Sequence, residues 1–184
     1  MALSKIDAAN FLTGTIPDTN INNASLDNVT GLPAGVGGKV LQVVQSIGTG
    51  ATFTTTSTSF VATGTSVSIT PSSTSSKIFV MCSTGLFWVN TSDATASGGG
   101  ATIYRGATNI NPNGGGTKQM MRNYRIGGVS IQNGGLTMSV LDSPNTTSST
   151  TYTAYIKSIW NNPTIQWNSS DDDVAVITAM EIAG

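Results

Sequence analysis

The residues able to do chemistry in this 184-residue chain are few, and the first fact about them is an omission: the sequence contains no histidine. That excludes Ser-His-Asp and Cys-His nucleophilic catalysis and removes the commonest metal ligand. Cys82 is the only cysteine. It has no partner for a disulfide or a zinc site, and its setting, KIFVMCSTG, reads as a buried strand thiol. Glycoside cleavage needs two carboxyl groups facing each other across the bond, whereas Asp93 in NTSDA and Asp142 in LDSP each stand alone in the sequence. The one acidic cluster, Asp171 to Asp173, lacks the spaced oxygens of an EF-hand loop and reads as a solvated turn or a partner for arginines across a subunit boundary. SGGGA (Ser97 to Ala101) and NGGGT (Asn113 to Thr117) lack the Lys-Ser/Thr ending of a phosphate-binding loop and read as flexible loops. The expectation is a protein that is not an enzyme and uses no metal or cofactor.

Binding chemistry is better represented. Between Asp93 and Asp142 the chain carries Arg105, Lys118, Arg122 and Arg125 with no acid, half of its eight basic residues. With Tyr104 and Tyr124 close by, this segment could meet an anionic surface polysaccharide through charge and aromatic stacking. The same residues would equally serve as intersubunit partners for the acidic turn. Trp160 and Trp167 bracket NNPTIQ, a hairpin-like stretch whose tryptophans suit a sandwich core better than sugar contact.

These residues need a scaffold, and the pattern supplies an antiparallel all-β one. Strands are expected at Val40–Gln45, around Phe53–Val61, and at Ser66–Thr70, Lys77–Val89, Ala101–Gly106 and Lys118–Ile126. They continue at Val129–Ile131, Leu136–Asp142, Thr151–Trp160, Thr164–Trp167 and Val174–Ile182, separated by Ser, Thr, Gly, Pro and Asn. This spacing indicates a β-sandwich head over residues 39–184. Charged residues make up only 9% of the chain, against about 25% in an average domain. A net charge of −1 gives no general attraction to nucleic acid or membrane, and so little charge promotes association. No run reaches the roughly 20 apolar residues of a membrane-spanning helix, and no signal-peptide core is evident.

Two strands, Ile78–Met81 and Leu86–Val89, are apolar on both faces, as is the last one. There Val174, Val176, Met180 and Ile182 alternate with Ala175, Ile177, Ala179 and Glu181. The small face, Ala175, Ile177 and Ala179, is expected to form a subunit core, because backbones approach closely only where side chains are short.

Residues 1–38 form a separate segment. Leu12, Ile16, Ile21, Leu26, Val29 and Leu32 fit neither the helical nor the strand period, and Pro17, Pro33 and many Asn and Asp residues favour turns. Such a stretch is either a disordered tail or an arm ordered by something outside itself.

The runs GTIPDTNI, GKVLQVVQ, TSFVATGTSVSITPSSTSSKIFV, LDSPNTTSSTTYTAYIKS and DDDVAVITAMEIAG resemble the C-terminal regions of bacteriophage tail-fibre and related virion-fibre proteins. The resemblance runs from about Gly14 to Gly184 and is weakest in the middle. It implies a jelly-roll-like head of the C1q or TNF type, packed as a homotrimer. The arm would be a virion-attachment element docked on other virion structural proteins. The implied function is host-surface adhesion by a short fibre assembled in the host cytoplasm, or alternatively decoration or cementing of the capsid or collar without a receptor. No nucleic acid or membrane partner is implied.

Overall fold

In the computed structural model the described residues are 39–49, 52–90, 96–113, 119–125, 132–168 and 173–184. They form eleven strands and no helix. In chain order these are β1 (Val40–Thr49), β2 (Phe53–Thr55), β3 (Val61–Ile69), β4 (Lys77–Asn90), β5 (Ser97–Arg105), β6 (Thr108–Asn109), β7 (Met121–Arg125), β8 (Gln132–Asp142), β9 (Thr150–Ile159), β10 (Thr164–Trp167) and β11 (Val174–Ile182). The expected strands at Thr164–Trp167 and Val174–Ile182 agree with β10 and β11 residue for residue. The expected strand at Val129–Ile131 and the arm fall outside the described residues.

The strands make two antiparallel sheets. In the larger, β4 is the organising strand: its first half pairs with β11 and its second half with β10 along one edge, while β8 runs along the other edge. Outer strands β1 and β2 extend it beyond β11 and β10. The smaller sheet runs β3-β9-β5, with β7 and β6 in tandem on the far side of β5. Alternation then fixes the core. Ile78, Val80, Cys82, Phe87 and Val89 of β4 and Leu136, Met138 and Val140 of β8 face Ala101, Ile103, Tyr152, Ala154 and Ile156 of the smaller sheet. Phe87 and Trp167 meet edge to face, with ring centroids 6.4 Å apart. Burial pushes the Cys82 thiol up to about 12, so it is an inert part of this core.

Two expectations are corrected here. Ser97–Ala101 is no flexible loop; it is the buried first half of β5. Gly99 is needed because the other sheet presses onto it: a Cβ there would lie 2.8 Å from Phe87 Cζ and 3.0 Å from Ile165 Cδ1. Trp160 to Pro163 is not a hairpin turn within one sheet but the crossing from β9 to β10, that is, from one sheet to the other. Trp160, Asn161 and Asn162 all take positive φ there, of 53°, 54° and 45°. Asn tolerates that region better than a bulky residue does.

Glu181 is wholly buried at the end of β11 without a cation beside it. Its Oε1 accepts hydrogen bonds from the Ser72 backbone N–H (2.7 Å), the Ser72 hydroxyl (2.6 Å) and the Ser76 hydroxyl (2.7 Å), and its Oε2 accepts one from Gln42 Nε2 (2.6 Å). The carboxylate thereby ties β1, β11 and the β3–β4 connection together. Burial by itself pulls its pKa up, but these donors, from Gln42, Ser72 and Ser76, outweigh that and hold it at about 2.

Gly99→Ala is expected to lower stability by about 1–3 kcal/mol through overpacking against the rigid Phe87 ring, read from urea midpoints. For Glu181 the folded-state pKa lies below the ordinary carboxyl value, so its contribution is full above about pH 4.5 and is lost as pH falls toward the folded value. Glu181→Gln should lower the urea midpoint at neutral pH, and the difference from the parent protein should narrow between about pH 4.5 and 2.

Candidate functional site

The two sheets present very different outer faces. On the larger sheet the alternation that sends Ala175, Ile177 and Ala179 inward sends Val174, Val176, Met180 and Ile182 outward. Register places Val43 of β1 beside Met180, and Phe79 of β4 between Met180 and Leu141 of β8. Val43, Ile47 and Leu141 are each 56% exposed, and Met81 and Val174 are also open to solvent. The outer face thus carries apolar side chains on four neighbouring strands, interspersed with the polar residues Gln45, Thr178, Ser83, Ser139 and Thr137.

This overturns the expected subunit core. Ala175, Ile177 and Ala179 are fully buried inside the chain's own sandwich. The argument from small side chains was sound about close approach and mistaken about the partner, which is the second sheet of the same chain. Glu181 shares that inward side of β11, and its hydrogen-bonding cradle had no sequence signature.

The smaller sheet carries aromatic and basic side chains on its outer face. Tyr104 of β5 stacks on Tyr155 of β9 with centroids 4.0 Å apart, and Phe60 meets the Tyr104 ring edge to face at 5.9 Å. Lys157 Nζ sits 4.6 Å from the Phe60 ring centroid, and burial lowers its pKa. The Arg122 guanidinium lies 5.0 Å over the exposed Trp160 ring. Of the glycan candidates, Tyr104 and Arg122 are therefore brought onto one face, joined by Phe60, Tyr155, Lys157 and Trp160, which the sequence reading had not grouped with them. Tyr124 and Arg125 stand on β7 opposite Gly98 and Ser97. Lys118 lies outside the described residues, as do the arm positions Leu12, Ile16, Ile21, Leu26, Val29 and Leu32 and the acidic residues Asp171 and Asp172. Trp167, by contrast, is a core residue, with its Nε1 donating to Thr65 Oγ1 at 3.0 Å.

Arg105 does something else. Its Nη1 donates to both oxygens of Asp142, at 2.9 and 2.8 Å, and to the Ser143 carbonyl at 3.2 Å. Tyr152 Oη also donates to Asp142 Oδ2 at 2.8 Å. Burial first, and then the bonded Asp142 carboxylate, raise the Tyr152 pKa far above the ordinary phenol value. Asp142 belongs to β8 of the larger sheet, and Arg105 and Tyr152 belong to the smaller one, so the cluster is a polar clamp between sheets. Arg105, a candidate glycan contact, thus has its Nη1 committed to this internal ion pair. Among the described residues no group of three acidic or cysteine side chains is placed to hold a metal ion.

No protein-family model matches the chain, and no curated protein matches it. A chain in the structure of infectious bursal disease virus, Gt strain, is similar at 14% identity and a TM-score of 0.29, over 79% of this chain and 39% of the viral one. This chain thus spans about two-fifths of the viral chain's length, and a likeness so distant carries no argument about function.

Removing the acceptor from the inter-sheet clamp should cost more than removing one donor. Asp142→Ala leaves Arg105 and Tyr152 without their shared partner and is expected to lower stability by about 2–3 kcal/mol, whereas Tyr152→Phe should cost about 1 kcal/mol. Denaturant unfolding of both variants checks the order, and equal losses would show that the phenol, not the ion pair, dominates.

Proposed function

We propose that this protein is a structural virion component of a bacteriophage: a short homotrimeric fibre whose β-sandwich heads associate through the apolar outer face of the larger sheet. The observation that carries the reading is that face, where Val43, Ile47, Leu141, Met81 and Val174 stand open beside Phe79, Val176, Met180 and Ile182. A soluble chain rarely leaves such a surface to water. Copies of the same chain suit it as occupants because its centre carries no charge, so like surfaces meet without repulsion, and because a chain with 9% charged residues has little else to keep it apart. Closed symmetry then limits assembly to a small ring. The number three, the jelly-roll type of head and the phage setting come from the sequence resemblance, as does the role of residues 1–38 as an attachment arm docking on other virion proteins.

In this reading the outer face of the smaller sheet, with Tyr104, Tyr155, Arg122 and Lys157, is the one that meets an anionic host polysaccharide. A cementing or decorating role without a receptor is the second reading. It is favoured by the internal use of Arg105, which leaves fewer cations for adhesion.

Val43→Asp combined with Ile47→Asp tests the assembly. Both side chains are more than half exposed in the single chain, so the head should fold nearly as before. At an interface the same change buries charge and should abolish association. Sedimentation is expected to find a trimer for the parent protein and a folded monomer for the variant. A parent monomer at micromolar concentration, or a variant that still forms trimers, would overturn the proposal.

A further inference from the structure

The outward residues of β9 change character in order along the strand: Thr151 and Thr153 come first, then Tyr155, then Lys157. Register sets Ser68 and Ser66 of β3 beside the two threonines, and Tyr104 of β5 on the other side of Thr153. Ser68 and Thr151 are exposed, and their hydroxyls bond to each other at 2.8 Å. Ser66, Thr153, Tyr104 and Tyr155 are half-buried. None of these six residues is charged. Arg105, next to Tyr104 in sequence, is paired with Asp142 between the sheets. Lys157 and Arg122 lie beyond Tyr155 in one cross-strand row, on either side of Gly100. The outer face of the smaller sheet is therefore divided into a cationic end and a neutral strip. From Thr151 to Tyr155 the strip runs about 14 Å, at about 3.4 Å per residue, which is long enough for more than one sugar ring.

We infer that this strip is a subsite for uncharged sugar residues, and hence that the host polymer is a heteropolysaccharide of neutral and acidic sugars rather than a uniform polyanion. The inference rests on the reading of this face as the one that meets the polysaccharide. The stacked tyrosines, with centroids 4.0 Å apart, combine apolar ring surface with two phenol hydroxyls, and Phe60 packs edge to face against Tyr104. That combination suits the C–H face and the rim hydroxyls of a pyranose. Rings already held in a stack lose little conformational entropy when a ligand arrives. The four serine and threonine hydroxyls beside them can each donate and accept, as a ligand bearing hydroxyls on all sides requires. A phosphate or carboxylate would find no counter-charge over the strip. An extended peptide would find no main-chain partner, because β9 is already paired with β3 on one edge and β5 on the other.

The test uses the full chain labelled with ¹³C in its tyrosine rings. It is titrated with the methyl glycosides of glucose, galactose, mannose, rhamnose and N-acetylglucosamine, then with those of glucuronic and galacturonic acid, and separately with a blocked triproline peptide. The expected result is a saturable shift of the Tyr104 and Tyr155 signals with at least one neutral glycoside, insensitive to added salt, while the fully buried Tyr152 ring stays still. Tyr155→Ala and Thr153→Ala should each weaken that binding about tenfold, the loss expected when one stacking or hydrogen-bonding contact to the ligand is removed. Should Tyr155→Ala fail to fold, Thr153→Ala decides, because it trims only a half-buried side chain on the sheet surface. The inference is overturned if no neutral glycoside moves Tyr104 and Tyr155, if the acidic glycosides bind there more tightly than every neutral one, if only the peptide moves them, if Tyr152 shifts along with them, or if the folded variants bind as the parent does. Tighter binding of the acidic glycosides would sink the neutral subsite and leave the face a polysaccharide surface, whereas silence toward every sugar, neutral and acidic, would sink both.

Discussion

The structure depends on how closely the two sheets approach, and small residues on both sides set that distance. On β5 the run Ser-Gly-Gly-Gly-Ala presents almost no side chain, and at Gly99 the Phe87 ring and Ile165 of the larger sheet occupy the space that a side chain would have taken. On the larger sheet, Ala175 and Ala179 of β11 and Gly48 of β1 play the corresponding part, with a Cβ on Gly48 lying 3.3 Å from Thr65 of the opposite sheet. Large residues on one layer therefore face small ones on the other, which lets the layers approach closely and make dispersion contacts. β4 can be served by β10, β11 and β8 together because this packing holds its inner residues, Ile78 through Val89, in one continuous core.

Where the interior is polar, it is specific. Glu181 joins the chain from Gln42 to Ser76 through four hydrogen bonds, Asp142 holds both Arg105 and Tyr152, and Trp167 reaches Thr65 across the sandwich. A chain with nine acidic residues has placed two of them in such clusters and has few left for its surface. These groups add geometric definition more than raw stability, since a buried polar cluster competes against an apolar packing of equal volume. Two sheets with featureless apolar inner faces could slide past each other; bonds that link named positions on both layers fix one alignment.

Much of the scaffold was legible in the sequence. Strands such as Val174–Ile182 and Thr164–Trp167 announced themselves through β-branched and aromatic residues between turn formers, and Cys82 read correctly as a buried thiol. The first half of β5 did not, because glycine has low strand propensity and its reason for being there lies on the other sheet, far away in sequence. The faces of β11 were legible only as an ambiguity. Either set of alternating residues could have been inward, and the donors that let Glu181 point inward come from β1 and from the β3–β4 connection, both far from it in sequence. The Arg105 ion pair was illegible for the same kind of reason: Asp142 is 37 residues away, and only the approach of β8 to β5 makes them neighbours. Local pattern revealed the elements, whereas the functional surfaces depended on long-range pairing.

That pairing also separates the roles of the two outer faces. Once Ala175, Ile177, Ala179 and Glu181 are committed inward, the period of two leaves no freedom for the rest of β11: Val174, Val176, Met180 and Ile182 must point outward, and β1, β4 and β8 add Val43, Ile47, Phe79, Met81 and Leu141 beside them. An aqueous outer face would have alternated apolar with polar residues, as Ser66 and Ser68 of β3 and Thr151 and Thr153 of β9 do on the smaller sheet. The same chain therefore follows the solvent-facing rule on one side and breaks it on the other. Thr178 is the polar exception on β11, where it accepts from Gln45 Nε2 at 3.1 Å. The apolar side chains around it cluster where β1, β11, β4 and β8 lie side by side, so a second surface laid on this sheet would bury area from all four strands at once.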